Sequence, residues 1–422
     1  MTTPYDSSEN RMDLHAAAGL THSSQRFSYL SLLRWEFGYV LILLIWSLSG
    51  GSDALKLASD AYAIAFVLYI GILLATRIHQ LDRTCTILLG FTAFFSLGNL
   101  TLNAGQENIG ESLKILAIFL FFLAGTTTEA DFLERAPGRL MVVLFVALPV
   151  AFSLRDLYGG SSFDPLDEIS LSFFANRNNA ILFAVVSSWT LMLGGARHWI
   201  VTLYLLACAI AFKTLGAMLA ILLALYLVYL GFNVLRIVLL GSLAAAFVML
   251  FGSELEVVTR ATVAFTSLSR VMDQAGGLWG LGAMSYEEIY EAVGTSDISL
   301  IFRLKHWINL FTLYADGSLT QQLFGFGVTS SLRLTDLKLL PHNDYIRFFF
   351  ELGPGMLACF IAMNVLIVRR MGIRFLSIPA IFLFIYFFSD NIVNNFLVMS
   401  LFYFLAGMFS RHIESSERYL SD

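Results

Sequence analysis

Charged residues are scarce in this sequence of 422 residues: Asp, Glu, Lys and Arg together make up 14%, whereas 57% of the residues are hydrophobic and Phe alone occurs 38 times. The mean hydropathy is +0.73. A soluble chain of this length cannot bury that much apolar surface, so the composition indicates a polytopic membrane protein. The net charge of −5 is not accompanied by a basic stripe or patch, which argues against nucleic acid as a partner.

Cysteine is also rare, and the three cysteines, Cys85, Cys208 and Cys359, each fall inside an apolar run. Without a C-x-x-C pair they are typical of small buried hydrophobic residues, not of a disulfide framework. The sequence has no set of Cys or His ligands for a transition metal. The acidic pair Asp164 and Asp167 in SFDPLDE is weak support for a divalent cation. We therefore expect no metal and no cofactor.

The first residues, MTTPYDSSENRMDLHAAAGLTHSSQ, are polar and lack the basic and then apolar pattern of a signal peptide. They are typical of a cytoplasmic tail. The chain also lacks an internal repeat and a low-complexity tract, and no feature marks a second soluble domain.

Long apolar runs are what the sequence has in abundance. A helix crosses the hydrocarbon core in roughly 20 residues, and by that measure we count about twelve runs. The fold class is therefore predicted as an all-α bundle of transmembrane helices. The runs are centred near Leu43, Val67, Gly90, Phe119, Ala147, Val185, Leu205, Leu222, Ala244, Phe360, Leu383 and Tyr403.

The distribution of cations predicts the orientation, because cytoplasmic loops carry an excess of Arg and Lys. With a cytoplasmic N-terminus, the short outer loops hold only Lys56, Lys114, Arg155, Arg177 and Lys213. The inner segments hold Arg11, Arg26, Arg34, Arg77, Arg83, Arg135, Arg139, Arg197, Arg236, Arg369, Arg370, Arg374, Arg411 and Arg418. The predicted organisation is a cytoplasmic tail (1–28), helices one to nine (29–252), a large outer loop (253–341), helices ten to twelve (342–410) and a second cytoplasmic tail (411–422).

The outer loop is the one large hydrophilic insertion, and such insertions often carry function. It contains two helical stretches around the Gly-rich break GGLWGLG. The second stretch, SDISLIFRLKHWINLFTLY, begins with the predicted caps Ser296 and Asp297. Arg303 and His306 share one face of that helix, opposite an apolar stripe.

The stretch PHNDYIRFFF, from Pro341 to Phe350, places polar residues where this loop meets a transmembrane helix. His342 there is suited to take a proton from a sugar hydroxyl, since imidazole titrates near neutral pH. The alternative is that the His-Asn-Asp sequence only caps the helix, because Asn and Asp are favoured caps. Asn343 is accordingly a candidate for substrate binding or a helix cap.

Arg347 shares a helix face with Asn343 and Glu351, at a spacing of four residues. A guanidinium just inside the membrane boundary is costly unless it is paired. Arg347 is therefore either paired with Glu351 or Asp344, or in contact with a ligand.

Five further residues on the same side of the membrane are candidates for contact with a substrate. Arg303 has a guanidinium that fits phosphate oxygens, and its alternative is a surface residue with no role. Arg177, followed by Asn178 in SFFANRNN, stands at a predicted helix N-terminus, which attracts anions. Lys213 ends the seventh run. For Arg177 and Lys213 the alternative is that the side chain only snorkels to the membrane interface. Asp390, in the turn SDNIVNN, orients a hydroxyl or satisfies backbone groups.

All these polar clusters lie on the predicted outer side, and charges near the midplane are almost absent. Ion and proton paths usually carry charges there. The pattern disfavours a proton-coupled transporter and favours a site at the outer interface, where the bundle would bind a lipid tail and the cations an anionic head group.

The combination of FRLKHW, a GFG turn, PHNDYIRFFFELG and FFANRNN resembles the O-antigen ligase and polymerase superfamily. The resemblance covers the sixth to tenth runs and the overall plan, and its most specific part is the His-Asn motif followed by Gly353 after nine residues. It implies a GT-C-like helical bundle in the bacterial inner membrane, with the large loop in the periplasm. The implied reaction is an inverting, metal-independent glycosyl transfer from an undecaprenyl-diphosphate-linked glycan.

Carried onto this chain, the resemblance implies that His342 activates the acceptor hydroxyl and that Arg303 neutralises the diphosphate leaving group. The chain departs from the family where members often have Ser-Arg-Gly, because it has Thr214, Leu215 and Gly216. Lys213 or Arg177 would then supply that phosphate contact. Met356 replaces a residue that is often small, which argues against the ligase branch.

The predicted function is the polymerisation of O-antigen or exopolysaccharide repeat units on the periplasmic side. Its partners would be the lipid-linked glycan, an acceptor glycan, the bilayer and a regulator of chain length. One alternative is an O-antigen ligase that transfers the glycan to lipid A-core or another acceptor. A second is a transporter or flippase of lipid-linked oligosaccharide, which predicts polar residues through the membrane and an internal repeat. A third, a structural subunit, would leave the one-sided polar clusters unexplained.

Overall fold

In a computed structural model of the chain, the described residues are 29–49, 52–103, 109–128, 136–158, 174, 177–212, 214–231, 233, 235, 236, 238, 242, 256–293 and 299–421. Within these ranges the chain forms helices joined by short turns, and no strand. The all-α prediction is confirmed for this part of the chain.

The first half consists of apolar helices: α1 (Tyr29–Leu48), α2 (Asp53–Arg77), α3 (Arg83–Leu102), α4 (Ile109–Thr126), α5 (Ala136–Tyr158), α6 (Arg177–Leu193), α7 (His198–Phe212) and α8 (Leu215–Leu230). The insertion that follows contains α9 (Glu256–Ala275), α10 (Leu278–Ala283), α11 (Tyr286–Val293), α12 (Ser299–Ala315), α13 (Leu319–Phe324) and α14 (Ser330–Leu334). The last part contains α15 (Asp344–Arg347), α16 (Gly353–Met371), α17 (Ile378–Tyr386) and α18 (Phe396–Ser421). Short 3₁₀ turns span Ile78–Gln80 and Phe375–Ser377.

Among the described residues, five helical segments are long and apolar enough to cross a membrane: Ser31–Leu48, Asp53–Gln80, Arg83–Leu102, Arg139–Tyr158 and Asp344–Met371. Four more are apolar but shorter: His198–Phe212, Gly216–Leu230, Phe375–Tyr386 and Phe396–His412. This architecture is compatible with a helical membrane protein. Every predicted apolar run falls in a helix except the one centred at Ala244, which lies outside the described residues.

The core of the bundle lies around α4, α6 and α18, whose side chains are buried nearly all round, as expected of helices that are apolar on every face. Two glycines bring α4 and α18 into backbone contact. A Cβ placed on Gly125 would lie 2.1 Å from the carbonyl oxygen of Phe404, and one on Gly407 would lie 2.2 Å from that of Phe122. Small residues at a crossing point allow such close approach in membranes.

The insertion has a small core of its own, separate from that of the bundle. Its buried residues come from α9 to α12: Val271, Leu281, Ile289, Val293, Ile301 and Ile308. Lys305 of α12 ties this unit together, because its Nζ donates to the carbonyl of Gly282 at 2.7 Å and lies 5.0 Å from the ring centroid of Tyr286. The predicted caps Ser296 and Asp297 lie outside the described residues.

Helices α15 and α16 are joined by a π-helical turn, Phe348–Leu352, and the first residue of α16, Gly353, has φ +86. The GFG turn pairs with this turn through the backbone, because Phe326 N–H donates to Phe350 at 3.0 Å and Gly327 N–H donates to Glu351 at 2.9 Å. A Cβ on Gly353 would lie 2.4 Å from the carbonyl oxygen of Leu323. A positive φ and a close backbone both require glycine, which explains the Gly353 of the sequence motif.

The segment predicted as the C-terminal tail is helical. Helix α18 runs from Phe396 to Ser421 without a break, so the segment 411–421 continues the last helix. The predicted N-terminal tail, 1–28, lies outside the described residues.

Candidate functional site

His342 lies at the start of the α15–α16 segment with its backbone in the left-handed region, at φ +51. A non-glycine residue in this region is uncommon and costs free energy, and such residues cluster at functional sites. Its Nδ1 lies 3.2 Å from Oδ1 of Asp390, and its side chain is 42% exposed. Because a carboxylate only accepts hydrogen bonds, this contact selects the Nδ1–H tautomer and leaves Nε2 for a substrate.

Asp390 is buried in the turn between α17 and α18. Its second oxygen accepts a 2.6 Å hydrogen bond from the amide of Asn178, and its Oδ1 also accepts from the Asn391 N–H at 2.8 Å. Burial raises the pKa of this carboxyl, but the hydrogen bonds from His342, Asn391 and Asn178 outweigh burial, so its pKa lies below the usual value. Asp390 is therefore a carboxylate that orients His342, a more specific role than the sequence predicted.

Asp344, next to His342 in the motif, fixes the turn that carries Asp390. Its N–H donates to the Phe387 carbonyl at 2.8 Å, and its Oδ2 accepts from the N–H groups of Ile392 at 2.8 Å and Val393 at 3.1 Å. From the sequence, Asp344 was predicted as part of a helix cap or as a partner of Arg347. No periodic pattern could have shown a contact between segments 48 residues apart.

Arg303 also reaches this turn, because its Nη1 donates to the carbonyl of Ser389 at 3.3 Å. Helix α12 is held there by Trp307, whose Nε1 donates to the carbonyl of Pro341 at 2.5 Å, directly before His342. Arg177 is exposed at the first position of α6. Both arginines lie close enough to Tyr386 to act on its hydroxyl electrostatically. The structure thus brings together Arg177, Asn178, Arg303, His342 and Asp390.

Arg347 is 1% exposed, and its Nε lies 2.9 Å from Oε2 of Glu351. Its Nη1 donates to Oδ1 of Asn394 at 2.5 Å, while Oε1 of Glu351 accepts from Ser331 at 2.5 Å. The structure thus places Arg347 in the paired arrangement that the sequence analysis described as one alternative. The network ties the π turn to α14 and to the turn before α18.

Asn343 and His306 are both buried beside His342. Asn343 is the N-cap of α15, since its Oδ1 accepts from the Ile346 N–H at 3.1 Å, and its own N–H donates to Asn391 at 3.3 Å. The capping interpretation is confirmed for Asn343. His306 is 3% exposed, and burial lowers its pKa, with the nearby His342 acting in the same direction.

Some predicted residues cannot be placed in this site. Lys213, Asp164 and Asp167 lie outside the described residues. Within the described ranges, no group of three His, Cys, Asp or Glu side chains has the arrangement of a metal site.

An apolar cavity of about 620 Å³ opens beside the site, between α8, α16 and α17. This volume is within the range of ligand pockets, about 300–1,000 Å³. Its walls are mainly Leu219, Ala220, Leu223, Phe384, Ile385 and Phe388. Tyr386 and Ser389 line it as well, and Arg303 donates to the carbonyl of the same Ser389.

The arrangement joins three chemical features at one place. His342 is held in one tautomer with Nε2 available to accept a proton. The guanidinium groups of Arg303 and Arg177 carry the positive charge and the N–H donors that bind an anion. The adjacent cavity suits an apolar chain. Together these features fit a ligand with an anionic head and a long apolar tail that reacts with a hydroxyl.

The comparisons with known proteins leave the family open. No protein-family model matches the chain, and no curated protein matches it closely enough to show a family.

Proposed function

We propose that the chain is a glycosyltransferase that polymerises O-antigen or exopolysaccharide repeat units from a polyprenyl-diphosphate-linked glycan on the periplasmic side of the inner membrane. The observation that carries this proposal is the chain of contacts from Asn178 through Asp390 to His342, with Arg303 bound to the adjacent Ser389 carbonyl. The sequence resemblance to the ligase and polymerase superfamily implies the same roles for His342 and Arg303.

In the proposed reaction, Nε2 of His342 removes the proton from an acceptor hydroxyl as its oxygen attacks the anomeric carbon of the donor sugar. A new glycosidic bond forms while the bond to the diphosphate breaks, and the electron pair leaves with the polyprenyl diphosphate. Asp390 stabilises the imidazolium that forms, because its carboxylate accepts the hydrogen bond from Nδ1. Arg303 and Arg177 stabilise the charge that develops on the leaving diphosphate.

The apolar cavity supports a lipid-linked donor over a soluble nucleotide sugar. An isoprenoid tail lying against Leu219, Leu223 and Phe384 would place its diphosphate near Ser389, within reach of Arg303. The cavity would thus hold the tail, and the head group would set the position for reaction.

The function can be tested by glycan profiling in a strain that lacks the gene, complemented with wild type, His342→Ala or Arg303→Ala. Matched controls are His79→Ala and Arg270→Ala, which change exposed residues of the same types outside the site. We expect both controls to restore the polymer and both site variants to fail at normal membrane levels.

The residual products identify the branch. Lipid A-core capped with one repeat unit identifies a polymerase, whereas polymer that stays on its carrier lipid identifies a ligase. Full restoration by His342→Ala would show that the assigned base is wrong and would favour a transport or structural role.

A further inference from the structure

Helix α3 presents an apolar face that the rest of the protein leaves largely exposed. The exposed large side chains on it recur every three or four residues and share one face of the helix: Ile87, Phe91, Phe94 and Leu97. Because Arg83–Leu102 is one of the segments suited to cross a membrane, this face lies against lipid. We call it the α3 stripe.

Helix α13, although part of the hydrophilic insertion, packs onto the α3 stripe. A Cβ on Gly98, which lies on the stripe, would be 2.3 Å from the ring of Phe324, so this ring occupies the space that glycine leaves. The ring centroids of Phe324 and Phe94 are 5.9 Å apart. Asn99 of α3 donates its amide to the Phe324 carbonyl at 2.5 Å. The position of Phe324 is therefore fixed on a surface that faces lipid.

The contacts of α13 with α3 and α16 show at what depth along these membrane segments it lies. Gly98 lies four residues before Leu102, the end of α3, which is about 6 Å at 1.5 Å per residue. Gly353, against which the Leu323 carbonyl packs, lies nine residues after Asp344, where another candidate span begins. That is roughly 14 Å of helix. Both measures place α13 beside the spans and not beyond their ends.

The outer surface of α13 is apolar where it faces away from the protein. Leu319 is 71% exposed and Leu323 is 47% exposed, and they lie one turn apart on the same face. The polar groups of the segment are satisfied internally. Ser318 and Gln321 form a capping box, and the Gln322 amide donates to the carbonyls of Tyr314, Ala315 and Gly317. A backbone in lipid requires such satisfaction.

We propose that α13 is an interfacial membrane helix, with Leu319 and Leu323 inserted among the acyl chains of the bilayer. Its occupant is lipid because Phe324 continues the lipid-facing surface of α3. The helix anchors the insertion to the membrane at the point where the GFG turn meets Glu351, and so fixes the height of α12 above the bilayer. This proposal does not depend on the reaction that the site performs.

Spin labelling of the full chain in lipid nanodiscs tests the proposal. In a background with Cys85, Cys208 and Cys359 replaced by serine, a nitroxide is attached at Leu319→Cys or Leu323→Cys. Glu287→Cys, exposed on α11, is the water control, and Ile87→Cys, on the α3 stripe, is the lipid control. The collision rates of each label with oxygen and with a water-soluble nickel chelate are measured.

We expect the labels at 319 and 323 to collide more often with oxygen than with the chelate, as at 87, and the label at 287 to show the reverse order. A chelate preference at both 319 and 323 would overturn the proposal, because the face would then lie in water. Protection from both reagents would also overturn it, since a protein surface such as a second copy would then cover the face. A loss of folded protein on cysteine replacement is excluded beforehand by size-exclusion chromatography, with alanine in place of serine as the second background.

Discussion

His342 depends on Asp390 for its orientation, because the carboxylate accepts the hydrogen bond from Nδ1 at 3.2 Å. Asp390→Asn keeps an oxygen at this position but removes the negative charge that stabilises the imidazolium. We expect the rate of glycan transfer to fall ~100-fold, the lower range for a contribution of general base catalysis. The measurement is release of polyprenyl diphosphate by the purified protein. Glu287→Gln is the control, and an unchanged rate in Asp390→Asn would contradict the assigned role.

His306 provides a test by pH that needs no substrate. Burial lowers its pKa in the folded protein, so the unfolded chain binds its proton more readily. Its contribution to stability is therefore complete above the ordinary pKa of about 6.5 and is lost as the pH falls towards the lower folded value.

We expect the melting temperature of the wild type to fall between pH 7.5 and 5.5 by more than that of His306→Phe. Melting is followed in nanodiscs by intrinsic fluorescence, with His79→Phe as the control at an exposed position. Equal pH dependence in the wild type and His306→Phe would show that this imidazole is not desolvated.

The sequence allowed His342, Arg303 and Asp390 to be selected as site candidates because each is a polar residue in an apolar chain. It did not show that Asp390 holds His342, or that Asn178 holds Asp390, because these residues lie 48 and 212 positions apart. Arg347 illustrates the opposite case. Its spacing of four from Glu351 is local, so the ion pair was one of the alternatives derived from helix geometry alone.

Among the helices and turns, the π turn and Gly353 control how α15 meets α16. Gly353→Ala places a Cβ at φ +86 and against the Leu323 carbonyl. We expect a loss of about 1–3 kcal/mol in unfolding free energy, with a lower transfer rate because His342 and the GFG turn shift. Thermal unfolding in nanodiscs measures the first effect.

Gly71→Ala is the matched control for this change. Gly71 lies inside α2 with no atom within 4 Å of the added Cβ, and alanine is the better helix former. We expect no loss of stability there. If Gly353→Ala were as stable as Gly71→Ala, the backbone at 353 would not need glycine.

The apolar helices were predicted from hydropathy because the burial of hydrophobic side chains is enough to determine them. The turn Phe348–Leu352 was not predicted, and the apolar run centred near Leu383 was predicted as a full span, whereas α17 has nine residues. They depend on tertiary contacts, namely the backbone pairing with the GFG turn and the anchoring of the 387–393 turn by Asp344. Such contacts leave no period in the sequence.

At the scale of the whole molecule, the contact between α4 and α18 holds the centre of the bundle. Gly125→Leu would place a side chain where the Phe404 carbonyl lies 2.1 Å from the Cβ position. Forcing extra methylene groups into such a contact costs roughly 1–3 kcal/mol and occasionally more. We expect a lower melting temperature and less folded protein by fluorescence-detected size exclusion.

Gly90→Leu is the control for this substitution, because nothing lies within 4 Å of a Cβ at Gly90. We expect it to melt like the wild type. A wild-type melting temperature for Gly125→Leu would mean that α4 and α18 separate without cost.

Membrane architecture was predicted from composition, since 57% of the 422 residues are hydrophobic, and the long apolar helices fit that prediction. The number of crossings is less well determined by hydropathy, because five segments meet the length for a span and four apolar helices fall short of it. A short apolar helix buried inside a bundle, such as α17, has the hydropathy of a transmembrane span. Hydropathy alone does not show whether a side chain contacts lipid or protein.

The π turn at Phe348–Leu352 also affects which way the residues before it point around the helix axis. A π turn amounts to an α-helix with one extra residue, so it sets the angular position of everything before it relative to α16. If these residues formed a regular α-helix with none removed, Asp344 would lie about 100° further around the axis. Asp344 would then point away from the backbone of Ile392 and Val393. The π geometry of this turn, silent in composition and hydropathy, thus helps to set whether the carboxylate at 390 faces the imidazole at 342.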